Sequence, residues 1–468
     1  MSNPNGASSS RRAARPNPST AETIAAVATP PGRGAIAIVR VSGPATREIA
    51  AQIFRSARAL RPRRATNGAI VDADGRRIDE GLALFFAAPH SYTGEDVLEL
   101  HVHGSPAVAR ETLIAALSAG ARLAGPGEFT RRAFFHGKID LASAESVAEL
   151  IAAENSAAVR AAAAGLSGGL AREVDALRAS LDEMLEELAA AIDFPDEVEA
   201  PSSQRLAARI AEVRARIAQL ATTWERGRVV REGVAVAIVG PPNAGKSSLL
   251  NALLGDERAL VSESPGTTRD TIEERLALDR STLRLIDTAG IRAHADRLEA
   301  AGIERTERAL EQARLALVVV DASLALSEEA RALLTRTRGR ERVVLFNKAD
   351  LGRAGYDGRD QAESDALFGS VRDAATLAAV RDALATLLET SETIDLSRPH
   401  LGTARQADAL LDAERALAYA HEALIAGAPA DLISGDLMRA IRALGELTGR
   451  EADERLLDAI FARFCIGK

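Results

Sequence analysis

The chain has a single cysteine, Cys465, and few aromatic residues, with Phe, Trp and Tyr together making 3% of its 468 residues. One cysteine excludes an intramolecular disulfide framework, and without a CxxC pair nothing suggests structural zinc, so a reducing compartment is expected. With aromatics scarce, the 47% hydrophobic share is mostly Ala, Leu, Val and Ile, a mixture that favours helices interrupted by β-branched strands. No run of 18 or more strongly apolar residues occurs, so no membrane span is expected. A basic excess is also missing: 58 Lys and Arg against 66 Asp and Glu give a net charge of -8. That is not the field of a dedicated nucleic-acid binder, so any RNA must meet local patches or a partner. The length predicts about three domains, and no internal repeat is visible.

Residues 1–20 are rich in Ser, Pro and Arg without an acid, and lack the apolar face of a transit peptide. A disordered tail is expected there. Residues 21–138 contain short alternating segments, AIAIVRV at 35–41, GLALFF at 81–86 and DVLELHV at 96–102, and read as an α+β domain. From about 139 to 228 the periodicity becomes helical. Val174, Leu177, Leu181, Met184 and Leu188 recur in steps of three and four, as do Leu206, Ile210, Val213, Ile217, Leu220 and Trp224. DFPDE at 193–197 and Pro201 should form the turn of a helical hairpin. Residues 229–392 alternate apolar strands with helical stretches: VAVAIVG at 234–240, TLRLID at 282–287, LALVVVD at 315–321 and RVVLFN at 342–347. Near-continuous apolar strands imply a mostly parallel sheet covered on both faces. Helical spacing returns over 393–468 with Leu410, Leu417 and Leu424. The expected fold is a multidomain α/β protein in which an α/β domain is inserted into a helical domain assembled from both flanks.

Gly240 to Ser247 reads GPPNAGKS, the pattern GxxxxGK[ST], directly after an apolar strand and before a helical stretch. Such a loop curls backbone N–H groups around phosphates, which places Asn243, Ala244, Gly245, Lys246, Ser247 and Ser248 at a nucleotide. Lys246 reaches the β- and γ-phosphates, and Ser247 can ligate Mg²⁺. Asp287 opens DTAG, where a carboxylate holds Mg²⁺ through water and Gly290 senses the γ-phosphate. Thr267 and Thr268 in PGTTRD supply hydroxyls for the metal and a mobile switch. Asn347, Lys348 and Asp350 form NKAD after another strand. Guanine offers two donors on its Watson–Crick edge that one carboxylate accepts together, whereas adenine presents an acceptor there, so Asp350 selects GTP. Ser370, Val371 and Arg372 stand where a fifth, guanine-contacting loop is expected. After DTAG comes Ile291, which cannot orient a water, so hydrolysis needs another polar group. Glu299 or Glu304 is within sequence reach, and both read equally as solvated acids on a helix face.

With its flanking motifs the chain resembles the MnmE (TrmE) family of tRNA modification GTPases. The resemblance rests on TPPGRGAIAIVRVSG at 29–43, SYTGEDVLELHVHG at 91–104, GPGEFTRRAFFHGKIDLASAE at 125–145, AIDFPDE at 191–197, the GTPase motifs and the terminal FCIGK. It implies a folate-binding N-terminal domain that also forms a homodimer, a helical domain, and an inserted G domain activated by potassium-dependent dimerisation. It implies a cytoplasmic enzyme that works with the flavoprotein MnmG (GidA), which carries FAD. Together they would install the aminomethyl or carboxymethylaminomethyl group at wobble uridine 34 of certain tRNAs. A reduced folate, 5-formyl- or methylene-tetrahydrofolate, would supply the one-carbon unit. By the same resemblance Arg40, Glu99 and Lys138 contact the folate, Ser247 and Thr268 hold Mg²⁺, Asn243, Ser262, Ser264 and Thr267 surround potassium, and Glu299 positions the hydrolytic water.

Strand alternation bears on the folate residues independently: Leu98, Leu100 and Val102 share one face of VLELHVH, leaving Glu99, His101 and His103 on the other. Glu99 there is free to meet a ligand or solvent. His101 and His103 have metal-ligand spacing but no third ligand nearby, which favours packing or hydrogen bonding. Cys465 reads as a nucleophile or proton donor acting on the uridine, with Lys468 beside it to favour the thiolate, or as a plain thiol at a helix end. His136 stands where the family usually has Asn. A ribosome-assembly switch of the Era or Der kind is the alternative function; it should carry a GxxG-bearing RNA module or a second P-loop, and neither is present. A third reading, a stand-alone folate enzyme with a regulatory GTPase, turns on whether folate is consumed without MnmG.

Overall fold

The computed structural model describes residues 22–199, 201–255, 274–278, 282–286, 299–352, 365–389 and 399–468. The expected tail at 1–20 lies outside them. The described residues fall into two units, one within 1–148, 165–217 and 403–468 and the other within 149–164 and 218–402.

In the first unit, alternating apolar positions build a seven-stranded sheet. Its strands are β1 (Ile24–Val27), β2 (Ile36–Ser42), β3 (Phe54–Arg55), β4 (Thr66–Val71), β5 (Arg77–Phe86), β6 (Val97–His103) and β7 (Arg122–Leu123), in the order β3-β4-β5-β6-β2-β1-β7. Every pairing is antiparallel except β1 with β7. One sheet face buries Val41, Leu98, Leu100 and Val102 against helices α1 (Thr46–Ile53) and α2 (Pro106–Ser118), through Ile49, Ile53, Ala109 and Ala116. Full burial of such a Leu or Ile contributes about 1.5–3 kcal/mol relative to exposure, so register is firmly set. Glu99 and His101 therefore stand on the opposite face, as the alternation predicted.

That second face receives α3 (Glu128–Phe135), whose Phe129 packs with Ile24, Ala26 and Ala124. Gly127 starts α3 at φ +62, and a Cβ there would lie 2.8 Å from Phe461 O, so only glycine fits. Helices follow as α4 (Leu141–Ala152), α5 (Ser156–Gly165), α6 (Gly169–Asp193) and α7 (Ser203–Glu232). The residues expected to line α6, from Val174 to Leu188, are buried, and α6 stops at Asp193 where DFPDE begins. Ion pairs from Arg209 to Glu183 and Glu187 and from Arg216 to Glu173 join α6 and α7 in antiparallel register, the expected hairpin.

The second unit takes in α5 and the C-terminal part of α7; its sheet region runs from β8 (Val234–Val239) and α8 (Lys246–Gly255) through β9 (Glu274–Ala277), β10 (Thr282–Ile286), α9 (Glu299–Gln312), β11 (Leu315–Asp321), α10 (Glu328–Thr337), β12 (Arg342–Asn347) and β13 (Leu367–Phe368) to α11 (Ala374–Glu389). The six-stranded order is β13-β12-β11-β8-β10-β9, parallel except for β9. Successive residues of β8 and β11 enter two different cores, one with α8 and α11 and one with α9 and α10. The sheet is thus covered on both faces, as near-continuous apolar strands require. The C-terminal helices α12 (Ala404–Ile425), α13 (Ala430–Thr448) and α14 (Glu454–Phe461) return to the first unit, where α13 packs on both α12 and α6. Leu410, Leu417 and Leu424 are buried in α12. Glu145 of α4 anchors the α12 start by accepting from Arg405 Nε at 2.7 Å and Gln406 Nε2 at 2.6 Å.

Candidate functional sites

Chain order places the first site. β8 pairs with β10 on one side and β11 on the other: the chain leaves β8 toward the β10 side and then crosses from β10 to β11 on the opposite side, and ligands of open α/β sheets bind at such a switch point. The loop after β8 is the GPPNAGKS segment. Gly240 is required because a Cβ would sit 2.1 Å from Val319 O, and Gly245 takes φ +98 with its Cβ position 2.2 Å from Asn347 Nδ2. Asn243 also adopts a positive φ of 60. Lys246 Nζ donates to Gly240 O at 2.7 Å and Pro241 O at 2.8 Å. Burial pushes this ammonium below its ordinary pKa, partly offset by Glu329. A half-buried cation bonded to neutral carbonyls of its own loop suits an incoming polyphosphate. Ser247 and Ser248 follow in the first turn of α8, with the helix N-terminus facing the same loop.

Asn347 ends β12, buried at 1% exposure. Its Nδ2 donates to Ala244 O at 2.8 Å, and its Oδ1 accepts from Val371 N at 3.0 Å. One side chain thereby ties the phosphate loop, the NKAD segment and the loop at 370–372, which puts Val371 beside Asn347. Lys348 takes φ 63 and its Nζ donates to Asp321 Oδ2 at 2.7 Å. Burial works to raise the Asp321 carboxyl, but hydrogen bonds from Lys348 and Ser323 outweigh it and hold the group below its ordinary value. Asp321 was not singled out from sequence, although its place at the end of LALVVVD, level with Asn347 on β12, was a usable signal. Asp350 is exposed in the short turn Ala349–Leu351. Ser262, Ser264, Thr267, Thr268, Asp287, Gly290 and Ile291 lie outside the described residues. Glu299 opens α9 and Glu304 follows within it, and the side chains of both also fall outside the description.

The second constellation lies on the first unit's sheet. Arg40 on β2 and Glu99 on β6 are register partners, and Arg40 Nε donates to Glu99 Oε1 at 2.9 Å. The chain's C-terminus closes over them. Arg40 Nη1 donates to Gly467 O at 3.2 Å, Phe129 N to Lys468 O at 3.1 Å and Gly127 N to Cys465 O at 3.3 Å. The Arg40 guanidinium lies 5.7 Å from the Tyr92 ring and 5.6 Å from that of Phe129. Arg40, Glu99, Cys465 and Lys468, far apart in sequence, thus converge, and Cys465 is exposed. Lys138 is exposed on the adjoining loop, donating from Nζ to Pro89 O at 2.9 Å. His136 bonds the same loop through Nδ1 to Thr93 O at 2.7 Å. His103 Nδ1 lies 2.8 Å from Asp79 Oδ1, the hydrogen-bonding use expected of it. Sequence reasoning passed over Tyr92, whose hydroxyl meets Thr130 Oγ1 at 2.8 Å, and the buried Arg132. Arg132 lies within 3.1 Å of both Glu95 and Glu128 and supports the loop from beneath.

The family model described as GTP-binding protein TrmE N-terminus matches residues 23–138, and that described as MnmE helical domain matches 141–465. The chain belongs to the tRNA modification GTPase MnmE family. Its curated relatives of that description include proteins of Chloroflexus aurantiacus, 45% identical and covering 96% of this chain and 100% of the relative, and of Moorella thermoacetica, 43% identical over 96% and 99%. That of Thermotoga maritima is 40% identical over 96% of this chain and its own full length. The MnmE helical match runs through the whole second unit.

Proposed function

We propose that the protein is a GTP-hydrolysing enzyme of tRNA modification, and that with the flavoprotein MnmG it forms the aminomethyl or carboxymethylaminomethyl group on wobble uridine 34 using a reduced-folate carbon. The observation that carries the GTPase reading is Asn347, which bonds the phosphate loop at Ala244 and the 370–372 loop together. With the loops joined in this way, Asp350 would accept from guanine and Lys246 would take the β- and γ-phosphates. Ser247 would ligate Mg²⁺ with Thr268, and Asp287 would hold it through water. Magnesium supplies charge neutralisation of the phosphates when bound. Asn243, with Ser262, Ser264 and Thr267, would surround potassium, which stands in for a missing arginine finger. Glu299 would orient the water that Ile291 cannot.

The folate reading is supported by the Arg40–Glu99 pair beneath the C-terminal tail. A guanidinium flanked by Tyr92 and Phe129 and paired with a carboxylate offers stacking surface, donors and an acceptor to a pterin-like ring. Lys138 on the exposed rim suits a glutamate tail, and Cys465 lies at the same surface for chemistry on the base. The proposed domains are 21–138 for folate and homodimerisation, 139–228 with 393–468 for the helical body, and 229–392 for GTP; the proposed location is the cytoplasm. The test is GTP turnover with potassium or sodium as sole monovalent cation, alongside Glu299→Ala. Potassium-selective turnover lost in the variant supports the cation-filled site. Equal slow turnover in both salts, unchanged by the substitution, overturns it.

A further inference from the structure

An acidic protein that handles RNA needs a cationic place to hold it, and the first unit contains one that the GTP and folate sites do not use. Between β3 and β4, residues 55–64 read RSARALRPRR, with five arginines and no acid. All five are exposed. Among the described residues, the side chains of Arg58, Arg61 and Arg64 make no hydrogen bond or ion pair. The backbone beneath them is nonetheless fixed. Pro62 bridges to Phe85, Arg63 N donates to Phe85 O at 2.7 Å, Arg64 N to Arg61 O at 3.2 Å, and Ser56 Oγ to Asn67 O at 2.7 Å. Leu60 turns inward to the sheet core. The loop therefore presents its cations from an ordered base, which lowers the entropy lost when a ligand binds.

Beside the loop lies a cavity of about 300 Å³ that includes Phe54, Leu60 and Phe85 in its wall, with Arg47 and Arg58 among its polar lining and no acid. The Arg47 guanidinium stacks over Phe85 at 4.5 Å from the ring centre, held by Asp96 at 2.7 Å. Exposed, unpaired arginines next to an apolar recess edged by a guanidinium match how proteins take single-stranded RNA: the backbone on cations, an unstacked base on a flat apolar surface. Arginine without lysine favours bidentate phosphate contacts over diffuse attraction. We propose that residues 55–64 and this cavity form a single-stranded RNA site, with Arg58, Arg61 and Arg64 on phosphates and one unstacked base against Arg47 and Leu60. The inference rests on the reading that the protein acts on tRNA and names the surface that meets it.

The test uses the full chain and fluorescence anisotropy with labelled tRNA across a salt series. The triple variant Arg58→Gln, Arg61→Gln, Arg64→Gln should bind at least about tenfold more weakly near 0.1 M salt, its log–log salt slope shallower by roughly 2 for three lost phosphate contacts. GTP turnover without RNA should be unchanged, which shows the variant is folded. Unlabelled single-stranded RNA should displace tRNA better than duplex of equal length, and Arg47→Gln should remove that preference. Parent-like affinity and slope in the triple variant overturn the site while leaving tRNA binding by the protein intact. A parent that hydrolyses GTP but binds no tRNA defeats the underlying reading instead. A changed oligomeric state with RNA binding retained assigns the loop to a protein contact and overturns the proposal. Equal competition by single strand and duplex removes the base recess.

Discussion

Replacing Gly245 by alanine tests the geometry of the nucleotide site most directly. The new Cβ would lie 2.2 Å from Asn347 Nδ2, at a φ of +98 that L-residues rarely adopt. Backbone in such a region costs about 1–3 kcal/mol. Displacing the Asn347 amide also breaks its bond to Ala244 O, worth about 1 kcal/mol and more because both atoms are buried. The sum, about 2–4 kcal/mol, predicts GDP binding weaker by thirtyfold to several hundredfold, at 1.4 kcal/mol per tenfold. A fluorescent GDP analogue titrated against the parent and variant reads this. Gly255→Ala is the control, since nothing lies within 4 Å of a Cβ there. A double-mutant cycle sharpens the case. Asn347→Ala removes the amide nitrogen that the added Cβ would strike, so the double variant should cost less than the sum of the singles by about 1 kcal/mol or more. Binding by Gly245→Ala within threefold of the parent, or strict additivity in the cycle, would refute the proposed clamp.

Asp350→Ala should lose most of the preference for GTP over ATP, roughly a hundredfold for two charge-assisted bonds, measured by competition against the same fluorescent probe; an unchanged GTP-to-ATP ratio counts against the guanine reading. Asp321 has its carboxyl held below the ordinary value, so its contribution to stability is present above the unfolded-state pKa and is lost as pH falls through the folded one. Urea melts monitored between roughly pH 5 and 3 should therefore show an acid loss that Asp321→Asn flattens, and identical slopes would remove Asp321 as its source. Arg132 is fully buried between Glu95 and Glu128; Glu128 keeps Arg122 at 2.6 Å, but Arg132→Met takes the guanidinium from the buried Glu95 and should destabilise by about 3–5 kcal/mol in denaturant melts, whereas a cost under about 1 kcal/mol would mean the network relaxes.

Periodicity made much of this fold legible. The α6 stripe from Val174 to Leu188, the break at Asp193, the buried strands of the second unit and the two-faced alternation of β6 all follow from spacing alone, because each local pattern has one way to bury its apolar side. The nucleotide site was legible for a different reason: phosphate and guanine impose fixed donor and acceptor sets, and few residue strings meet them. What spacing could not show is proximity across long separations. Nothing in the sequence places Gly467 against Arg40, or Arg405 against Glu145, since those contacts depend on how complete layers pack. Asp321 was overlooked because a carboxylate closing a strand acquires meaning only when the neighbouring strand brings Lys348 beside it. Arg132 escaped notice because a buried arginine looks like a surface residue until its two acids are found.

A difference in partners separates the cations that hold the structure from those suited to hold ligands. Arg132 and Arg405 face carboxylates in the interior, so their charges cancel locally and their removal is a matter of stability. Lys246 and Lys138 instead donate to backbone carbonyls, which satisfy hydrogen bonds without pairing the ammonium with a carboxylate. The arginines at 58, 61 and 64 donate to nothing in the described protein. Arg40 lies between the two classes: Glu99 neutralises it while Gly467 takes another of its donors, an arrangement fit for a ligand with both donors and acceptors rather than for a bare anion. The overall charge of -8 is thus an average over a molecule in which, among the described residues, many arginines pair with its own acids while other cations stay open. Polyphosphate, a polar heterocycle and an RNA backbone need three different balances of charge and hydrogen bonding, and the three proposed sites differ from one another in that balance.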